Sequence, residues 1–135
     1  QQEDITIDLS LVNDCYRQLS MQADIVIVEG AGGFLVPLND SQTGEDLAKI
    51  LGLPVILVVG MRLGCLNHAL LTTGAISAAR LSLVGWIANC IQSPMVAVTE
   101  NIATLEQRLQ APLLGILRFG EQTDGFIAMP KVLVR

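Results

Sequence analysis

The sequence predicts an α/β fold in which a parallel sheet is covered by helices, and three observations carry that prediction. Apolar residues make up 51% of the 135-residue chain and charged ones 16%. Such a composition suits strands that are apolar throughout because both faces of their sheet are covered. Apolar runs recur at intervals of about 30 residues, the length of one strand–helix step. The segments between the runs carry helical periodicity. Strands alternating with helices imply a parallel sheet with right-handed crossovers.

The elements follow in order. Val12, Cys15, Tyr16 and Leu19 repeat at helical spacing and predict a helix over residues 8–20. "ADIVIVEG" (23–30) reads as the first strand. Thr43 caps a short helix through Leu51, with Glu45 and Asp46 favourably placed in its first turn. "PVILVVG" (54–60) is the second strand, and residues 65–80 form a longer helix with small residues suited to close packing. "LVGWIAN" (83–89) is the third strand, with Trp86 in the core. Val98, Ile102, Leu105 and Leu109 line one face of a further helix capped by Thr99, and "APLLGIL" (111–117) is the fourth strand. "GEQTDG" (120–125) reads as a loop. No linker, low-complexity segment or charge block divides the chain, so residues 1–135 are expected to form a single domain. Four strands make a small sheet, one edge of which exposes apolar surface unless something covers it.

Several classes are disfavoured. A net charge of −5, with eight basic residues scattered along the chain, gives no electrostatic footprint for nucleic acid. The longest apolar stretch, "LPVILVVGM" (53–61), contains Pro and Gly and falls far short of the roughly 20 residues of a membrane span. The acidic start shows no leader pattern. Cys15, Cys65 and Cys90 lack metal-ligand spacing, and they read as reduced thiols of a cytoplasmic protein. The chain begins at Gln1 and enters what reads as the middle of a fold, so a fragment or processed form is expected.

Ligands of open α/β sheets bind at the carboxyl ends of the strands, and the unusual residues stand there. Glu29 ends the first strand and is followed by Gly30, Gly32 and Gly33. It is either a Mg²⁺ ligand on a nucleotide's phosphates or a solvated turn carboxylate. "GMRLGCLNHA" (60–69) leads into the long helix. The free N–H groups of residues 64–67 would suit a carboxylate or phosphate, with Arg62 adding charge; the alternative is an ordinary helix start. His68 has no triad partner and is assigned no catalytic role. Asn89 presents an amide that pairs with a base such as adenine, or else starts a turn. Phosphate chemistry of this kind needs a glycine-rich loop ending in Gly-Lys-Ser/Thr, and these residues contain none.

"VIVEGAGGFLVPL", "LPVILVVGMRLGCLNHALLT", "GWIAN" and "APLLGIL" together resemble the C-terminal portion of the dethiobiotin synthetase family, in the family's order, from Asp24 to Leu117. The resemblance implies a P-loop NTPase-like α/β fold, incomplete at its N-terminal side and usually a homodimer. It implies a cyclo-ligase of biotin biosynthesis. There 7,8-diaminononanoate takes up CO₂ or bicarbonate, and the ring closes at the cost of ATP. On the matching positions, Glu29 corresponds to the Mg²⁺ ligand, Asn89 to the adenine-reading residue, and Gly64, Cys65, Leu66 and Asn67 to the turn that holds the substrate's carboxylate. Leu117 ends the last strand and is followed by Arg118, where the family commonly has an Ile-Pro pair, so the resemblance puts both at the adenine pocket. No catalytic residue lies within this chain, which is expected to be inactive alone. Two alternatives stay open: an inactive fragment that retains a dimerisation surface, and part of a cobalamin-type amidotransferase.

Overall fold

The computed structural model describes residues 6–91 and 96–120, which fall into two compact units, one within Gln1–Leu53 and one within Pro54–Arg135. The loop expected at 120–125 lies outside the described residues from position 121 onward. Among the described residues no helix is long and apolar enough to cross a membrane.

The first unit contains α1 (Leu9–Ser20) and α2 (Gly44–Leu51), which pack against each other. Asp8 caps α1 by accepting a hydrogen bond from the Ser10 N–H at 2.9 Å. The Thr43 N–H donates to the Asp46 carboxylate at 2.8 Å and fixes the start of α2. Gly52 ends α2 in the left-handed region, φ 61°. Glu45 and Lys49, one helical turn apart, form an ion pair on its surface.

Between the helices, the strand expected at 23–30 is not formed. Its backbone belongs to no strand and no bridge. Alternating apolar residues favour an extended chain, but a strand exists only where its N–H and C=O groups meet a neighbouring ladder. No described residue supplies one. Ile25 and Ile27 are exposed as a result.

The second unit holds the sheet. Strands β1 (Val55–Gly60), β2 (Leu83–Asn89) and β3 (Leu113–Leu117) are parallel and lie in the order β1-β2-β3. Helix α3 (Cys65–Ala78) links β1 to β2, and α4 (Val98–Arg108) lies between β2 and β3 in sequence. The α/β class, the parallel pairing and the second to fourth strands therefore agree with expectation.

Side chains of a strand alternate between the two faces of its sheet. Leu57, Val59 and Met61 from β1 and its end, and Trp86 and Ala88 from β2, share one face. Cys65 and Ala69 of α3, with Ile102, Leu105 and the following Leu109 of α4, pack on that face. Trp86, Met61 and Leu105 are fully buried at its centre. Ile102, Leu105 and Leu109 are therefore the buried stripe that their spacing predicts.

Two details lay beyond the pattern. Thr99 does not cap α4. The chain enters from Ala97, φ 59°, whose carbonyl accepts both the backbone N–H of Asn101 at 3.0 Å and its side-chain Nδ2 at 2.9 Å. The first turn thus opens at Val98 and draws Thr99 inside it. Gly85 is required by close approach, because a Cβ there would meet Leu114 Cγ at 2.5 Å. Leu114 is itself buried and has little room to yield.

Candidate functional site at the carboxyl edge of the sheet

The register of the three strands brings their ends into one row. Gly60 pairs with Asn89, and Asn89 pairs with Leu117. The row continues one residue further, where Met61 N–H donates to the Asn89 carbonyl at 2.7 Å and Cys90 N–H to the Leu117 carbonyl at 2.8 Å. Asn89 and Leu117 are half-buried along this edge, and Arg118 follows, exposed. Residues 28 positions apart in sequence are thus immediate neighbours. The sheet, not local sequence, puts Asn89 beside Leu117.

The turn between β1 and α3 rises from the same edge. Gly64 stands at the helix N-cap with φ 91°, a conformation that favours glycine. Its side-chain-free cap leaves the first turn without a side-chain acceptor. The Cys65 N–H donates to the Arg62 carbonyl at 3.0 Å, and the thiol side chain is buried. The N–H groups of Leu66 and Asn67 lie in the first turn, where an α-helix provides no acceptor of its own. They carry the partial positive charge of the helix start.

A cavity of about 330 Å³ lies beside this turn, lined by Val58, Gly60, Arg62, Cys65, His68, Thr72 and Ile91 among others. Arg62 and His68 are exposed at it. Thr72 and Ile91 were not singled out from the sequence. Thr72 stands one helical turn beyond His68 and donates its hydroxyl to the His68 carbonyl at 2.8 Å, so the i, i+4 spacing was the signal that could have found it. Ile91 lies just past β2, and no periodicity marks it.

Glu29 belongs to the first unit and is exposed. A Cβ added at Gly30 or at Gly33 would meet nothing within 4 Å, so the backbone around the carboxylate is open to approach. Downstream, the chain closes on itself. Val36 N–H donates to the Gly33 carbonyl at 3.0 Å, Pro37 bridges Thr43, and the Asn39 carboxamide oxygen accepts from the backbone of Ser41 and Gln42. That small turn leads straight into α2. Among the described residues no group of three or more His, Cys, Asp or Glu side chains forms a metal cluster. One exposed carboxylate fits Mg²⁺ as a single protein ligand, since that ion keeps most of its water and is commonly held by one or two carboxylates together with phosphates.

A parallel sheet flanked by helices is an open α/β protein, the class whose ligands bind at the carboxyl ends of the strands. The chain belongs to the AAA domain family, whose model matches residues 1–125. Its curated relatives narrow this further. It is 56% identical over 120 residues to the ATP-dependent dethiobiotin synthetase BioD of Nitrosospira multiformis, a match covering 89% of this chain and 53% of that protein. The synthetase of the same name from Aromatoleum aromaticum is 54% identical, over 86% of this chain and 52% of its own length. That of Cellvibrio japonicus is 59% identical, over 75% of this chain and 44% of its own. The resemblance to dethiobiotin synthetase thus extends over most of the chain, which spans about half the length of the curated relatives it matches.

Proposed function

We propose that the chain is part of a dethiobiotin synthetase, acting as the C-terminal portion of one domain that carboxylates 7,8-diaminononanoate and closes its ureido ring. The observation that carries this reading is the 56% identity over 120 residues to an enzyme of that name. The carboxyl-edge row of Gly60, Asn89 and Leu117, with the α3 turn beside it, supports it. When bound, Mg·ATP supplies the activation that makes the captured CO₂ reactive towards the second amine.

The chain's own residues have separable tasks. Glu29 offers one carboxylate oxygen to the metal. Asn89 presents both a donor and an acceptor, the pattern that an adenine edge matches. Leu117 gives the base an apolar neighbour, and Arg118 places a cation at the same edge. The turn from Gly64 to Asn67 holds the substrate's carboxylate, with Leu66 and Asn67 donating backbone N–H groups to it. Fixing that carboxylate places the two amines in one position and so favours closure over release. A homodimer acting in the cytoplasm is part of the proposal.

Two outcomes test it. The 135 residues alone are expected to give no dethiobiotin from diaminononanoate, CO₂ and Mg·ATP, because no Gly-Lys-Ser/Thr phosphate loop occurs among them. Turnover at the rate of a full-length relative would refute this. In a full-length synthetase carrying this sequence, Glu29→Gln should lower turnover by about 100-fold or more, while the thermal melt stays in place. Wild-type turnover at limiting Mg²⁺ would remove Glu29 from the metal site.

A further inference from the structure

His68 is the one histidine of the chain, and none of the tasks set out above uses it. It stands one turn into α3, on the same face as the cap residue Gly64, because helical residues four apart are neighbours. Helical side chains lean back towards the N-terminus, and this one reaches the cap. A Cβ added at Gly64 would meet His68 Cε1 at 3.9 Å. Cε1 is bonded to both ring nitrogens, so the polar edge of the imidazole is the edge beside the turn. Thr72 stands one turn further along the same stripe, with its hydroxyl already given to the His68 carbonyl at 2.8 Å. Among the described residues the side chains of His68 and Arg62 have no hydrogen-bond or ion-pair partner.

Arg62 and His68 line the cavity beside this turn, and Val58, Ala69 and Ile91 give it apolar wall; among the described residues no Asp or Glu lines it. Donors without an acceptor, set beside apolar wall, match an aliphatic chain that ends in a carboxylate. We propose that His68 is a specificity-determining residue that reads the carboxylate end of the substrate. Its ring N–H donates to the carboxylate that the Leu66 and Asn67 N–H groups hold. The inference rests on the synthetase reading above and deepens it, since it gives that carboxylate a side-chain reader. Backbone N–H groups take any anion or carbonyl oxygen within reach. A side chain covered by the bound substrate discriminates more sharply, because a ligand without the acceptor leaves its N–H unpaired. Nothing is asked of His68 at the two amines, so it positions the substrate and takes no part in ring closure.

The test compares a full-length synthetase carrying this sequence with its His68→Ala variant. The substitution should raise the KM for diaminononanoate about tenfold or more and leave kcat within about twofold. Calorimetry without ATP should show the Kd for diaminononanoate rising by the same factor. The diamine 2,3-diaminononane, which carries a methyl in place of the carboxylate, should inhibit both proteins equally. Because His68 is exposed, the thermal melt should stay in place. An unchanged KM and Kd would overturn the proposal, as would a loss carried by kcat alone or an equal loss of affinity for the diamine. Turnover and binding are read on the same samples. If the wild-type protein makes no dethiobiotin yet binds diaminononanoate more tightly than the variant, the synthetase reading fails and the role of His68 stands. Turnover with KM and Kd unmoved by the substitution does the reverse, and the absence of both turnover and binding overturns both.

Discussion

Asp46 shows how a single side chain sets a helix boundary. The Thr43 backbone N–H, and secondly its hydroxyl, donate to the Asp46 carboxylate and lower its pKa below the usual 3.8. Asp8 is lowered in the same way, by the Ser10 hydroxyl first and then by the Ser10 N–H. A carboxyl depressed in the folded state stabilises it above the unfolded-state pKa, and that contribution is lost as pH falls through the folded value. The N-terminal turns of α1 and α2 should therefore loosen on acidification below about pH 4. Asp46→Asn should show the loosened α2 turn already at neutral pH, with no further acid change from that position. Backbone amide chemical shifts of residues 43–47 followed through an acid titration would check this; an unchanged turn in the variant would contradict it. Thr43, Glu45 and Asp46 were legible as a helix start because capping is local. The Cys65 N–H bond to Arg62 was not legible, since it depends on the turn that Gly64 makes.

At the scale of the element, α4 shows what periodicity captures and what it leaves out. Ile102, Leu105 and Leu109 were readable as its buried face from their spacing alone. Leu105 is fully buried in the core cluster, so Leu105→Ala should cost about 2–5 kcal/mol in denaturant unfolding. Glu106→Ala, one residue on and exposed, should stay within about 0.5 kcal/mol. Equal effects at the two positions would mean that α4 does not pack as described. The start of α4 escaped the pattern because Ala97 is held in a left-handed conformation that no residue preference announces. Strand 23–30 escaped for a different reason. Its apolar residues favour an extended chain, but pairing is a property of two segments, and no described segment pairs with this one.

Across the whole molecule, burial is uneven. Among the described residues, Leu9 is the one buried apolar side chain in the first unit, whereas the second holds the core built on Trp86, Met61 and Leu105. Regions with few buried contacts open more readily. Amides of α1 and α2 should therefore exchange faster than those of β2, measured by hydrogen exchange at neutral pH on the intact chain. Protection of α1 equal to that of β2 would contradict this. The sequence by itself determined the α/β class, the helices and the second to fourth expected strands in their order, and the choice of Glu29, the 64–67 turn and Asn89 as residues of interest. Those properties follow from composition, short-range periodicity, local glycines and family resemblance. Only the tertiary structure decided that Gly60, Asn89 and Leu117 form one row, that Thr72 and Ile91 join the cavity beside α3, and that 23–30 stands unpaired. Register, cavities and strand pairing are set by contacts between segments distant in sequence, and no local pattern specifies them.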